Sequence, residues 1–136
     1  MSYSLIECKE STAPAAPTGT TRKCEPAGDK ATTCTYTCDT DSKVQTKITC
    51  NGKTGKWDPD SVKLDCPCGD PPAAPTNTVI SPSDAKKPVA IGTVITYTCP
   101  IDSRTTTTKC DSPGKYSVEK PELACTCKII LKRWIT

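Results

Sequence analysis

Eleven cysteines and no histidine stand in this chain of 136 residues, so any chemistry it carries must begin with sulfur. Cysteines in such number pair into disulfides, hold a metal, or supply a nucleophile. The absence of histidine removes Ser-His and Cys-His nucleophiles, histidine-bound zinc and imidazole acid–base catalysis. Cys66-Pro67-Cys68 and Cys125-Thr126-Cys127 are C-x-C pairs, whereas structural zinc sites favour cysteines separated by about two to four residues. Two carboxylate pairs, Asp39/Asp41 and Asp58/Asp60, sit in Asp-x-Asp-Ser stretches. Aspartates in that setting commonly cap turns through their own backbone, and no glycine-spaced calcium loop accompanies them. The reading is no enzyme, no metal and no cofactor.

The cysteines follow an order that runs twice. Cys8, Cys38, Cys50 and Cys66 enclose "TCTYTC", "ITC" and "GKW"; Cys68, Cys99, Cys110 and Cys125 enclose "VITYTC", "TKC" and "GKY". Successive anchors are offset by 60, 61, 60 and 59 residues. A period of that length means tandem modules, here 8–66 and 68–125, each too small to hold together on core burial alone. A domain of roughly 60 residues buries only about 60% of its unfolded surface, and aromatic residues make up just 4% of the chain. Each bridge closing a long loop contributes about 2–4 kcal/mol. Such bridges need an oxidising compartment, which points outside the cell.

The residues 1–7, "MSYSLIE", lack a basic stretch and an apolar run, so they do not read as a signal peptide. The expectation is a segment of a longer secreted or cell-surface protein; a cytosolic protein with reduced thiols is the competing reading. No stretch approaches the roughly 18 apolar residues of a membrane span. The net charge is +3, but residues 8–66 carry nine Lys/Arg against eight Asp/Glu, and residues 68–125 six against six. The excess lies at Lys128, Lys132 and Arg133, so neither repeat offers the concentrated basic face that nucleic acid requires. Lys86, Lys87 and Arg104 read as solvated loop charges. There is no N-x-[ST] sequon.

The elements that must position the cysteines are short strands. In Gly92–Cys99 a period-two alternation puts Ile95, Tyr97 and Cys99 on one face; in Thr33–Cys38 the matching face holds Cys34, Tyr36 and Cys38. Strands follow at Gln45–Cys50 and Thr105–Cys110, then turns at Asn51-Gly52 and Pro113-Gly114. "PAAPTGTT" (14–21) matches "PAAPTNTV" (72–79), and its prolines should run extended along an edge. No segment holds a helical period. Pro67 alone separates the two repeats, and proline fixes its own φ while pushing Cys66 towards extended geometry. The expected arrangement is therefore a rod of two modules. The apolar segment 127–136 does not continue the repeat.

Four cysteines with Y-x-C at the second, I-T-C at the third and G-K-W before the fourth resemble the complement control protein module, also called sushi or short consensus repeat. The resemblance covers residues 8–125. It implies a small, all-β, disulfide-rich fold of two elongated modules end to end. Four cysteines allow three pairings; the family implies first-to-third and second-to-fourth, which here means Cys8–Cys50, Cys38–Cys66, Cys68–Cys110 and Cys99–Cys125. It also implies that Tyr36, Trp57, Tyr97 and Tyr116 are core aromatics. The chain departs from the family in three ways. No glycine-aromatic pair follows the second cysteine, Tyr116 replaces a tryptophan, and the linker is a single residue.

Cys24 and Cys34 are extra to the pattern. Cys34 aligns with Ile95, and Cys24 lies ten residues upstream across a turn at Gly28-Asp29. A bridge between adjacent strands is expected there, with two free structural thiols as the alternative. Cys127 is then left unpaired, where a third module would begin. The functional expectation is a non-catalytic extracellular segment that binds a protein, less readily a glycan, or acts as a spacer, as sushi modules do in complement and adhesion proteins. The alternative is a small secreted effector such as a protease inhibitor, using the 25–33 loop.

Overall fold

A computed structural model of the chain describes residues 6–83 and 88–126. These form an all-β, disulfide-rich fold of two separate four-stranded antiparallel sheets. The first contains β1 (Thr20–Glu25), β2 (Thr33–Cys38), β3 (Gln45–Asn51) and β4 (Lys56–Asp58) in sequential order. The second contains β5 (Val79–Ser81), β6 (Val94–Thr98), β7 (Thr105–Ser112) and β8 (Lys115–Tyr116), ordered the same way. Before β1 a single 3-10 turn spans Glu10–Thr12. Among the described residues no helix is long and apolar enough to cross a membrane.

Alternation along β2 and β6 decides which face is buried. Cys34, Tyr36 and Cys38 point inward in the first sheet, and Ile95 and Tyr97 in the second, while the intervening threonines face outward. The cores are small. In the first half Cys8, Ala13, Cys24, Ala31, Cys34, Tyr36, Ile48 and Trp57 pack together. In the second the buried cluster is only Cys68, Val89, Ile95, Tyr97 and Cys110, with Ile80 and Tyr116 against it. Five of the eight residues in the first cluster and two of the five in the second are cysteine or alanine, so dispersion and apolar burial are limited.

Five bridges supply what burial does not. Cys8 joins Cys50, Cys38 joins Cys66, Cys68 joins Cys110, and Cys99 joins Cys125. The fifth, Cys24–Cys34, links residues directly opposite one another on β1 and β2. Its counterpart region in the second half is handled differently. Ile95 takes the place of Cys34, and across the ladder Thr108 stands where the first half has Ile48. Thr108 is buried, yet satisfied: its hydroxyl donates to the Val118 carbonyl at 2.9 Å and accepts from the Val118 N–H at 3.1 Å. A buried hydroxyl without such partners would be costly.

One hydrogen bond recurs in both halves. The Tyr36 hydroxyl donates to the Pro14 carbonyl at 2.6 Å, and the Tyr97 hydroxyl donates to the Pro72 carbonyl at 2.7 Å. Each proline opens the Pro-Ala-Ala-Pro segment of its repeat, so the tyrosine ties that extended segment across the end of the sheet. Arg22 reinforces the first tie, donating to Ala13 and Pro14 at 3.2 and 3.1 Å.

Replacing Tyr97 by Phe removes the tyrosine donor to the Pro72 carbonyl, whereas after Tyr36→Phe the Pro14 carbonyl still accepts from Arg22. Each substitution is expected to lower stability by about 1 kcal/mol. The two effects should add in the double variant because the residues lie in different sheets, as measured by denaturant unfolding. Full reduction is expected to abolish cooperative unfolding, because chain entropy then outweighs so small a core; a thermal melt in excess reductant reads this directly.

Candidate functional site

The junction between the two halves is the most built feature of the molecule. Cys66, Pro67 and Cys68 are all buried, although they form the connection between two sheets. Thr40, in the loop after β2, donates its hydroxyl to the Pro67 carbonyl at 2.7 Å. The same threonine lies against the second half: a Cβ built on Gly69 would sit 3.6 Å from its Cβ, and one on Gly114 would sit 3.8 Å from its Cγ2. Gly19, at φ +76°, abuts the β7–β8 turn so closely that an added Cβ would come within 2.5 Å of the Pro113 Cβ. The Gly19 carbonyl in turn accepts the Asp39 N–H at 2.9 Å. Beside these contacts lies a concavity of about 480 Å³ lined by Asp41, Val44, Asp65, Cys66 and Pro67 from one half and Pro88, Ala90 and Ile91 from the other.

Of the carboxylate pairs, Asp41 alone is seen capping a turn. Asp41 accepts the Lys43 N–H at 3.0 Å, and Asp39 accepts the Thr21 hydroxyl at 2.6 Å. Asp58 ends β4 opposite Thr49, and Asp60 is exposed beyond it. No cluster of three or more potential metal ligands occurs among the described residues. Arg104 is more than a solvated charge, because it pairs with Asp102 and donates to the Ala124 carbonyl. The Arg104 N–H, followed by its guanidinium, holds the Asp102 carboxyl below the usual carboxylate range. Lys86, Lys87, Cys127 and the segment 127–136 lie outside the described residues.

The aromatics fall into two classes. Tyr36 and Tyr97 are fully buried, and Trp57 nearly so, with the Trp57 indole N–H donating to the Thr12 hydroxyl at 3.3 Å. Tyr116 is only half-buried, its hydroxyl donating to the Gly69 carbonyl at 3.2 Å. It packs at the rim of the second core rather than within it, because β8 is only two residues long and pairs with β7 across an irregular register. Burial raises the hydroxyl pKa of Tyr97, and burial followed by the charges of Tyr97 and Asp70 raises that of Tyr116. The 25–33 loop is closed at its base by Cys24–Cys34, and residues 25–30 are exposed.

Sequence reasoning did not find Thr40 or Gly19. Thr40 sits in a polar loop indistinguishable by composition from others, and only the fold brings it against Gly69 and Gly114. Trp57 was signalled by "GKW"; the strands β1, β4 and β5 carried no clear alternation.

No family model, no curated protein and no solved structure matches this chain.

Two expectations follow. Gly19→Ala combines backbone strain at positive φ with a clash at Pro113, so it should destabilise by about 1 kcal/mol or more and shift amide resonances on both sides of the junction. Adding Pro113→Gly should restore the resonances of the second half while leaving part of the stability loss. In alkali, the folded state holds its Tyr97 and Tyr116 protons above the ordinary tyrosine value of about 10. Stability is then full below the unfolded-state pKa and falls as pH rises through the folded values, which absorbance-detected titration alongside denaturant unfolding will show.

Proposed function

We propose that the chain is a pair of sushi-like modules, 8–66 and 68–125, that acts as a non-catalytic extracellular protein-binding or spacer segment. The observation that carries this reading is the repeated framework: first-to-third and second-to-fourth bridges in each half, with the same tyrosine-to-proline tie. A small fold stapled twice in the same way supports presentation of loops rather than chemistry, since it offers no histidine and no metal-ligand cluster among the described residues. Five disulfides point to an extracellular or secreted setting.

The mechanism of such a segment is geometric. Pro67 contributes one fixed φ, its neighbours are each held by a bridge, and Thr40 anchors its carbonyl. A junction with so few free torsions keeps the loops of both modules in fixed register for a partner, or holds an attached head away from a surface. The partner in this reading is a protein; a glycan is the weaker choice because the charges of each repeat nearly cancel.

A second reading rests on the 25–33 loop. Its residues 25–30 are exposed and it is closed by its own disulfide, while Ala31 is buried in the first core; an exposed, bridged stretch is the form a protease-inhibitory loop takes. A panel of serine, cysteine and aspartic proteases separates the two: the module reading expects no stoichiometric inhibition, and inhibition lost on substitution within 25–33 would replace it.

Small-angle scattering tests the spacer mechanism. The native chain should give a narrow, elongated distance distribution. Replacing Pro67 by Gly-Ser-Gly-Ser should broaden that distribution and leave the melting of each half largely unchanged. A broad or compact native distribution would sink the mechanism.

A further inference from the structure

Both halves carry the same small structure ahead of their first strands. Pro14-Ala15-Ala16-Pro17-Thr18 in the first half matches Pro72-Ala73-Ala74-Pro75-Thr76 in the second. Neither stretch belongs to a helix or a strand. Proline fixes its own φ and keeps the residue before it out of the helical region, so each stretch runs extended. Its near end is held by the tyrosine of its repeat, Tyr36 on the Pro14 carbonyl and Tyr97 on the Pro72 carbonyl. Its far end is closed by a turn built alike in both halves. The Thr20 N–H and hydroxyl donate to the Pro17 carbonyl at 3.1 and 2.7 Å, and the Thr78 N–H and hydroxyl donate to the Pro75 carbonyl at 3.2 and 2.6 Å. The third turn residue has a positive φ in each, Gly19 at +76° and Asn77 at +62°, which is the type II arrangement.

Between these fixed ends the chain lies open. Ala15, Ala16 and Thr18 are exposed, as are Ala73, Ala74 and Thr76. No hydrogen bond joins any of these six to another described residue, and methyl side chains leave the main chain at the alanines uncovered. The neighbouring hydroxyls are spent: Thr20 and Thr78 close the turns, and Thr21 donates to Asp39 at 2.6 Å. One unengaged hydroxyl per half therefore follows directly on an accessible Ala-Ala-Pro stretch. Exposed threonine among prolines is the composition that carries O-linked sugar, and the five bridges point to the compartments where such sugars are added. Each turn also leads into an outermost strand of its sheet, β1 two residues after Thr18 and β5 three residues after Thr76. A bulky hydrated group there would hinder pairing of these bare edges with another chain.

We propose that Thr18 and Thr76 are O-glycosylation sites, each accepting one N-acetylhexosamine from a nucleoside diphosphate sugar. The threonine Oγ1 attacks the anomeric carbon, and the bond from that carbon to the diphosphate oxygen breaks. The diphosphate leaves with the electron pair, and the hydroxyl proton passes to it. The transferase reads the extended Ala-Ala-Pro main chain, and the turn holds the acceptor hydroxyl clear of the sheet. The sites need only the secretory setting and stand whatever the modules bind.

The test is the intact mass of the full chain, directed through the secretory pathway of cultured animal cells that cannot extend O-glycans beyond the first sugar. Two N-acetylhexosamines per chain are expected, mapped by electron-transfer fragmentation to Thr18 and Thr76. Thr18→Val and Thr76→Val should each lower the count by one and the double variant should abolish it, with denaturant midpoints unchanged because neither hydroxyl has a partner to lose. Thr21→Val should leave the count at two. An unmodified native chain overturns the proposal, as does a hexose in place of the N-acetylhexosamine. So do sugars on Thr20, Thr21 or Thr105–Thr107 with Thr18 and Thr76 bare, or a sugar on one half alone, since the two sites are built alike.

Discussion

Sulfur–sulfur bonds are the constraint on which the rest of this structure depends. Each sheet is short, its inward face offers two or three large side chains, and its edges are bare. A chain of this composition would lose more conformational entropy on folding than its apolar burial returns. Closing loops of 42 and 28 residues in the first half, and 42 and 26 in the second, removes much of that entropy from the unfolded state instead. Once the cysteines are fixed, the strands between them have little freedom of register. The tyrosine in each repeat then closes the remaining gap by tying the proline segment across the sheet end.

The differences between the halves show how the same frame tolerates different fillings. The first half adds a bridge at Cys24–Cys34 and packs it on Ile48. The second places Ile95 and a hydrogen-bonded Thr108 at the corresponding positions. Trp57 is buried within the first core, whereas Tyr116 sits half-exposed at the rim of the second. These substitutions keep total contact modest, which suits a framework whose stability is covalent. They also leave the outward faces of β2 and β6 threonine-rich.

What the frame accomplishes is the placement of surfaces. Because Cys66 and Cys68 flank a single buried proline, the end of one half and the start of the next are brought together within one residue. Thr40 and Gly19 then read the incoming half directly, through a hydroxyl and through the lack of a side chain. The proposed binding or spacer role would draw on this coupling, because residues of both halves line the junction.

Much of the fold was legible in the sequence. The doubled cysteine order and the alternation at Thr33–Cys38 and Gly92–Cys99 determined an all-β, disulfide-rich chain with Tyr36 and Tyr97 inward, because a period of two admits only one buried face. Spacing did not choose among the possible cysteine pairings; the family resemblance supplied one, and sulfur positions depend on how the strands cross. The edge strands β1 and β5 were not legible, since their residues are half-exposed and carry no alternation strong enough to stand out. The junction was legible only in its shortness. That Thr40 would donate to Pro67 and that Gly19 would need to lack a Cβ were decided by tertiary structure alone. Such contacts join residues far apart in the chain, and no local pattern of polarity records which distant surface a loop will meet.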